Sequence, residues 1–196
     1  KILKYYEIWK INLLNSLMYF SEFIVWSLFV AVIIFIYINL WQSIYSTNEL
    51  IEGFSIAMMV WYLVMTESIV TSSPQTGLIK ELNYEVKSGD LTYALNKPYS
   101  YILYHYAKKL SQGMVAFILT FGIGSLIAFL LIGNIKLSLI SIPFILLSIL
   151  LAFTLDFTIT SIIGISAFWL EDTNSFRYTY EKLVFILGGM LVPLEI

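Results

Sequence analysis

The chain has 196 residues, of which 59% are hydrophobic, 17% aromatic and only 12% charged, with a net charge of −2. Soluble domains carry about 25% charged residues, so a watery surround is excluded and a bilayer expected. The weakly acidic balance offers no electrostatic footprint for nucleic acid. The lack of cysteine removes disulfides and thiolate metal sites, and a single histidine, His105, removes any metal centre built from several histidines.

The first expected element is an amphipathic helix over residues 1–20. Ile2, Tyr5, Tyr6, Trp9, Leu13 and Leu17 share one face, and Lys1, Lys4, Glu7, Asn12 and Asn15 the other, with Ile8 and Ile11 intruding. Such a helix lies along a leaflet with its lysines toward the headgroups, or else extends the first span. It is too polar for the core of a signal peptide.

A spanning helix needs roughly 20 mostly apolar residues. Runs at 23–41, 53–71, 110–135, 139–170 and 183–194 meet or approach that length, and none reads as the weak period-two pattern of barrel strands. The expected fold is therefore all-α, a polytopic helical membrane domain with five visible spans. The chain opens on Lys1 and ends inside an apolar run. Both ends are accordingly expected to be trimmed, the natural chain continuing past Ile196.

Orientation follows from the basic residues. Ten of the eleven lysines and arginines fall before the first span, between the second and third, or between the fourth and fifth; Lys136 alone falls on the other side. The positive-inside rule places the N-terminus and both large loops in the cytoplasm. Trp41 and Tyr45 are then expected at the outer surface. Trp169, Tyr99, Tyr101, Tyr104 and Tyr106 are expected at the inner one, the alternative for each being packing between helices.

The loop 74–98 is the most informative polar stretch. Leu78, Ile79, Leu82 and Val86 recur at helical spacing, with Lys80, Glu81, Asn83, Glu85 and Lys87 opposite. Gly89 is placed to end this helix, Asp90 to cap a second short one through Leu91 and Leu95, and Pro98 to stop it. The apolar face either folds back on the bundle or docks a cytoplasmic partner.

Two acids interrupt apolar spans. Asp156 falls near the middle of the fourth, where a charge costs about 2.5–3.5 kcal/mol. It is expected to contact substrate or to accept a hydrogen bond from Ser or Thr on a neighbouring helix. Glu67 lies toward the cytoplasmic end of the second span, where Thr66, Ser68, Thr71, Ser72 and Ser73 suggest a polar vestibule. Small residues at Gly122, Gly124, Ser125 and Ala128, and at Thr160 and Gly164, permit close helix contact. His105, Lys108 and Lys109 share a face just before the third span and read as solvated or snorkelling.

The segment SGDLTYALNKPYSYILYHYAKKL, Ser88 to Leu110, resembles the cytoplasmic segment of type-2 ABC exporter permeases, closest to the small single-domain drug-export-like branch in bacteria. The Phe168–Trp169 pair and the Gly188–Gly189…Pro193–Leu194 stretch are similar to that family as well, as are the span order and the leading helix. Lys97 stands where Arg is commoner in the family. The chain stops where the family has an extracellular re-entrant hairpin and a sixth span.

The resemblance implies a non-catalytic permease subunit of a bacterial plasma membrane, forming an export pathway as a pair of permeases. It would couple to a separate ABC ATPase through the loop 74–98, with Gly188, Gly189 and Pro193 breaking the last helix near the outer surface. Independently, no Gly is followed by Lys, so no phosphate loop of the G-x-x-x-x-G-K type exists. ATP is expected only at the partner, and no cofactor or metal on this chain. The alternative is an ion-coupled carrier using Asp156 and Glu67. Thin charge along the spans points to amphipathic or lipid-like cargo.

Overall fold

The computed structural model describes every residue except 1, 47–49, 74, 135–137, 171–172, 191–192 and 194–196. The calls on Lys1, Pro74, Lys136 and Leu194 lie outside the described residues. The chain is all-α apart from one small hairpin. Helices α1 (Ile2–Met18) and α2 (Phe20–Ile44) lead to the strands β1 (Leu50–Ile51) and β2 (Phe54–Ser55), and then to α3 (Ile56–Ser72). Next come α4 (Gln75–Ser88), α5 (Asp90–Leu95), α6 (Tyr101–Leu131), α7 (Ser141–Ile165) with a 3₁₀ turn Ser166–Phe168, and α8 (Asn174–Leu187).

Four stretches are long and apolar enough to cross a membrane: Phe20–Ile44, Ile56–Ser88, Tyr101–Leu131 and Ser141–Phe168. Many of their side chains are β-branched, which water would not favour in a helix. In lipid every backbone amide needs an internal partner, and that requirement dominates. Trp26, Phe29, Phe35, Phe129, Phe144 and Leu155 point outward from these helices, an apolar surface that only lipid or another protein can cover.

The second stretch is two helices. Ser73 adopts ψ 143°, an extended conformation that ends α3, because the residue before a proline is driven out of the helical region. At 31 residues, α6 is about 46 Å long against a hydrocarbon core of about 30 Å. The part before Leu110 therefore projects from it at the end carrying Lys80, Lys87, Lys97, Lys108 and Lys109, hereafter the basic end.

The core is built on α6. Val30, Ile34 and Ile38 of α2 meet Val60 and Val64 of α3 and Ala128 of α6 in one buried cluster. Gly124 makes that approach possible: a Cβ there would sit 2.9 Å from Ile34 and 3.0 Å from Val64. Gly122, expected to share this role, faces open space. Gly113, which the spacing did not single out, is the tighter point, with a Cβ meeting Phe153 and the Ser72 carbonyl at 2.6 Å.

Helix α1 packs along α6 rather than standing apart from the bundle. Tyr5, Ile8, Trp9, Asn12, Leu13 and Ser16 turn toward the protein, while Leu3, Tyr6, Ile11, Leu14 and Leu17 are on the outside. The expected apolar face is thus divided between protein and lipid. Lys4 Nζ donates to the Pro98 carbonyl at 2.7 Å and the Ser100 amide to the Tyr5 hydroxyl at 3.0 Å, tying α1 to the basic end.

The hairpin turns on Glu52 and Gly53, both at positive φ, as a two-residue turn between twisted strands requires. It covers Trp41 and Tyr45, which are buried against Met59, with Tyr45 Oη donating to the Phe54 carbonyl at 2.9 Å. These two aromatics pack between elements. Trp169 is 83% exposed, and Tyr101 is buried.

The expected fifth span, 183–194, is not a separate helix among the described residues. Its beginning is the end of α8, a helix of 14 residues that starts at Asn174 and carries a buried Arg177 paired with Glu181 at 3.0 Å. The break after α8 lies level with the middle of α3: Tyr62 Oη donates to the Gly189 carbonyl, and the Met190 carbonyl lies 3.3 Å from Thr66 Oγ1, whose nearer acceptors are the Tyr62 and Leu63 carbonyls of its own helix. The Tyr62 hydroxyl thus satisfies a carbonyl that the broken helix leaves free. Pro193 is buried.

Candidate functional site

Helix α4 stands at the basic end and decides how the two halves of the bundle meet. Leu78, Ile79 and Leu82 are buried without measurable exposure beyond 1%. Leu78 and Leu82 cluster with Phe157 of α7 and Tyr101 of α6. A Cβ on Gly164 would lie 2.8 Å from Leu82 Cβ, so α4 and α7 touch almost backbone to backbone. Of the two fates left open for this apolar face, folding back on the bundle is what the packing of Leu78 and Leu82 displays, because two lipid-embedded helices offer it a closer fit than water does. Val86 and Leu91 are half-buried, and the exposed residues here include Tyr84, Lys87, Gly89, Asp90, Tyr93, Leu95 and Pro98. Gly89 itself, at φ 81°, is the N-cap of α5. Asp90 is the first helical residue, its carboxylate accepting from Ser88 Oγ at 2.7 Å.

Glu81 and Glu85, one turn apart on α4, face α6 instead of solvent. Lys109 Nζ lies 2.8 Å from Glu81, and Lys108 also pairs with it. Tyr101 donates to Glu85, and His105 sits between both acids at 3.6 and 3.4 Å. His105 is 1% exposed, which overturns its reading as a solvated residue. Burial raises the Glu81 carboxyl, but the neighbouring Lys109 and Lys108 outweigh it and hold the group below the ordinary glutamate range. For His105 burial dominates over the two acids and pushes the imidazole down, so it stays neutral. Glu81, Glu85 and His105 could reach one ion by distance. Two ammonium groups already occupy Glu81, so the chemistry of the set is that of an ion-paired clasp between α4 and α6.

Asp156 and Glu67 are not brought together. Asp156 is buried on α7 with both oxygens engaged: Ser73 Oγ donates to Oδ2 at 2.5 Å and Tyr180 Oη to Oδ1 at 2.6 Å. One carboxylate thus joins the α3–α4 break, α7 and α8. Of the two roles weighed for it, the hydrogen bonding is what the geometry displays; Tyr180 had no sequence signal, since nothing in spacing links it to position 156.

Glu67 lines an open-sided cavity of about 400 Å³ between α2, α3 and α6, with Phe23 and the outward-facing Trp26 and Phe29 along its rim and Thr120 on another wall. Met190, from the break after α8, closes part of it. The polar vestibule expected around Glu67 is only partly built. Ser68 and Ser72 are buried and donate to the carbonyls of Val64 and Ile69 on their own helix, leaving Thr71 and Ser73 at the cavity.

Four long apolar helices with outward apolar faces, packed around a buried acid and with no water-soluble lobe among the described residues, define a multi-pass membrane protein. Comparison gives the family: residues 30–195 match the "ABC-2 family transporter protein" family, and the chain belongs to it. The family is that of membrane components of ABC transporters, typically non-catalytic. No curated protein and no solved structure matches the chain.

Proposed function

We propose that this chain is the transmembrane permease subunit of an ATP-driven exporter, that its substrate path runs past Glu67, and that a separate ATPase drives it through α4 and α5. The membrane is a bacterial-type plasma membrane with the basic end in the cytoplasm, and two permeases pair to complete the path. One observation carries the reading: α4 is rigidly clasped to α6 by Glu81–Lys109 and to α7 by Leu82–Gly164. Its other side, with Tyr84 and Lys87, and the neighbouring Tyr93 and Leu95 stay exposed. A partner gripping that exposed face moves α4, and α4 cannot move without carrying the spans. The docking surface thus loses Leu78, Ile79 and Leu82, keeps Leu95 and gains Tyr84 and Tyr93. Family membership and the missing phosphate loop support the separate motor.

The ion-coupled alternative is weakened at Asp156, whose two oxygens already hold hydroxyl donors. Purified chain should hydrolyse no ATP, and expression with its neighbouring genes should co-purify an ATPase whose turnover drives export from proteoliposomes. A complete complex without an ATPase would overturn the reading.

A further inference from the structure

Glu67 keeps only 4% of its exposure, yet no hydrogen bond or ion pair from another described residue reaches its carboxylate. The hydroxyls around the cavity have their protons committed elsewhere. Ser27 donates to the Phe23 carbonyl at 2.7 Å, Thr120 to that of Ala116 at 2.7 Å, and Ser73 to Asp156. Thr71 alone of the lining hydroxyls has no such bond among the described residues. Lys109 lines the adjoining cavity but is held by Glu81. Tyr37 is the other titratable group close enough to feel the Glu67 charge. The lining is therefore rich in acceptors and short of donors, within a wall of three aromatic rings.

A buried carboxyl in a membrane domain without a partner is either protonated or met by a cation when it ionises. A divalent ion asks for six to eight oxygen ligands, and this wall is mostly carbon. Aromatic rings favour an organic cation instead, and the cavity volume suits a small drug-sized molecule. We propose that the cavity binds an amphiphilic organic cation carrying an N–H, that N–H donating to Glu67 and the apolar body lying against Phe23, Trp26 and Phe29. This rests on the exporter reading and adds its substrate class.

The test uses rhodamine 6G, an amphiphilic cation with N–H donors, titrated onto the full chain in zwitterionic nanodiscs and read by fluorescence anisotropy. The anionic dye fluorescein is the comparison. Wild type should bind rhodamine 6G saturably, Glu67→Gln should weaken binding roughly tenfold or more, and Glu67→Asp should retain most of it. Fluorescein should bind no better than to empty nanodiscs. A Glu67→Gln affinity within about twofold of wild type, or fluorescein binding as tightly, would overturn the proposal. Glu67→Gln keeps the shape of a side chain that no described residue bonds, so its unfolding temperature should not fall; if it does, Glu67→Asp and Phe29→Ala carry the test. Saturable, Glu67-dependent binding without ATP-driven export would sink the exporter reading and leave the cation site standing. Export of rhodamine 6G unaffected by Glu67→Gln would do the reverse.

Discussion

Ser73 Oγ donates to Asp156 Oδ2 at 2.5 Å, so the residue that ends α3 is also the residue that anchors α7. The same extended backbone that Pro74 imposes on Ser73 takes its side chain out of the helix, where its hydroxyl would otherwise bond back to its own turn. A break in one helix becomes a joint between three, with Tyr180 of α8 on the second oxygen.

Asp156→Ala should therefore destabilise the protein by about 1–3 kcal/mol, since it strands two buried hydroxyls. Ser73→Ala and Tyr180→Phe should each cost about 1 kcal/mol, and they should be non-additive with Asp156→Ala in a double-mutant cycle. Thermal unfolding in detergent checks this. Additive losses would mean the carboxylate is not the shared partner.

The α4–α6 clasp should make the protein acid-sensitive in two stages. His105 has a depressed native pKa, so the unfolded chain binds a proton the native state refuses; stability is lost as pH falls below the ordinary value of 6.5. Glu81 is likewise depressed, so its contribution is present above its ordinary value of 4.5 and is lost as pH falls further. The groups facing them are Glu85, Lys108, Lys109, Tyr101 and Tyr104. His105→Gln should flatten the unfolding temperature between pH 6.5 and the onset of Glu81 protonation, while leaving the steeper acid limb.

Glycine substitutions should sort by contact rather than by position in the sequence. Gly122→Ala meets nothing and should be neutral or stabilising by up to about 1 kcal/mol through helix propensity. Gly124→Ala and Gly164→Ala drive a methyl into Ile34 and Leu82 and should cost about 1–3 kcal/mol. Gly164→Ala should also impair transport, because it pries α4 from α7; equal effects at all three positions would contradict the packing.

Tyr93→Ala and Leu95→Asp alter side chains that are 75% and 63% exposed. Surface changes of this kind usually move stability within about 0.5 kcal/mol, yet both should reduce ATPase co-purification and export together. Leu82→Asp should instead unfold the basic end. Loss of stability at Tyr93, or normal coupling in both exposed variants, would remove α5 from the docking surface.

The apolar runs determined by themselves that the chain is helical and membrane-embedded, because lipid leaves the backbone no other way to satisfy its amides. Ser73 before Pro74 and Gly89 before Asp90 likewise marked real helix ends, since φ/ψ sterics are local. What the runs could not say is which face of a helix meets which neighbour. In lipid both faces of α1 are apolar, so the wheel did not reveal that Tyr5 and Trp9 turn toward α6 while Tyr6 and Leu17 turn outward. In α4 the wheel placed Glu81 and Glu85 opposite the apolar face without saying what they meet; they face α6 because Lys108, Lys109 and Tyr101, distant in sequence, are there to receive them. Glu67 and Asp156 look alike in sequence, each a lone acid in an apolar span. Only the tertiary structure separates them: hydroxyls from Ser73 and Tyr180 fold onto Asp156, while nothing among the described residues folds onto Glu67.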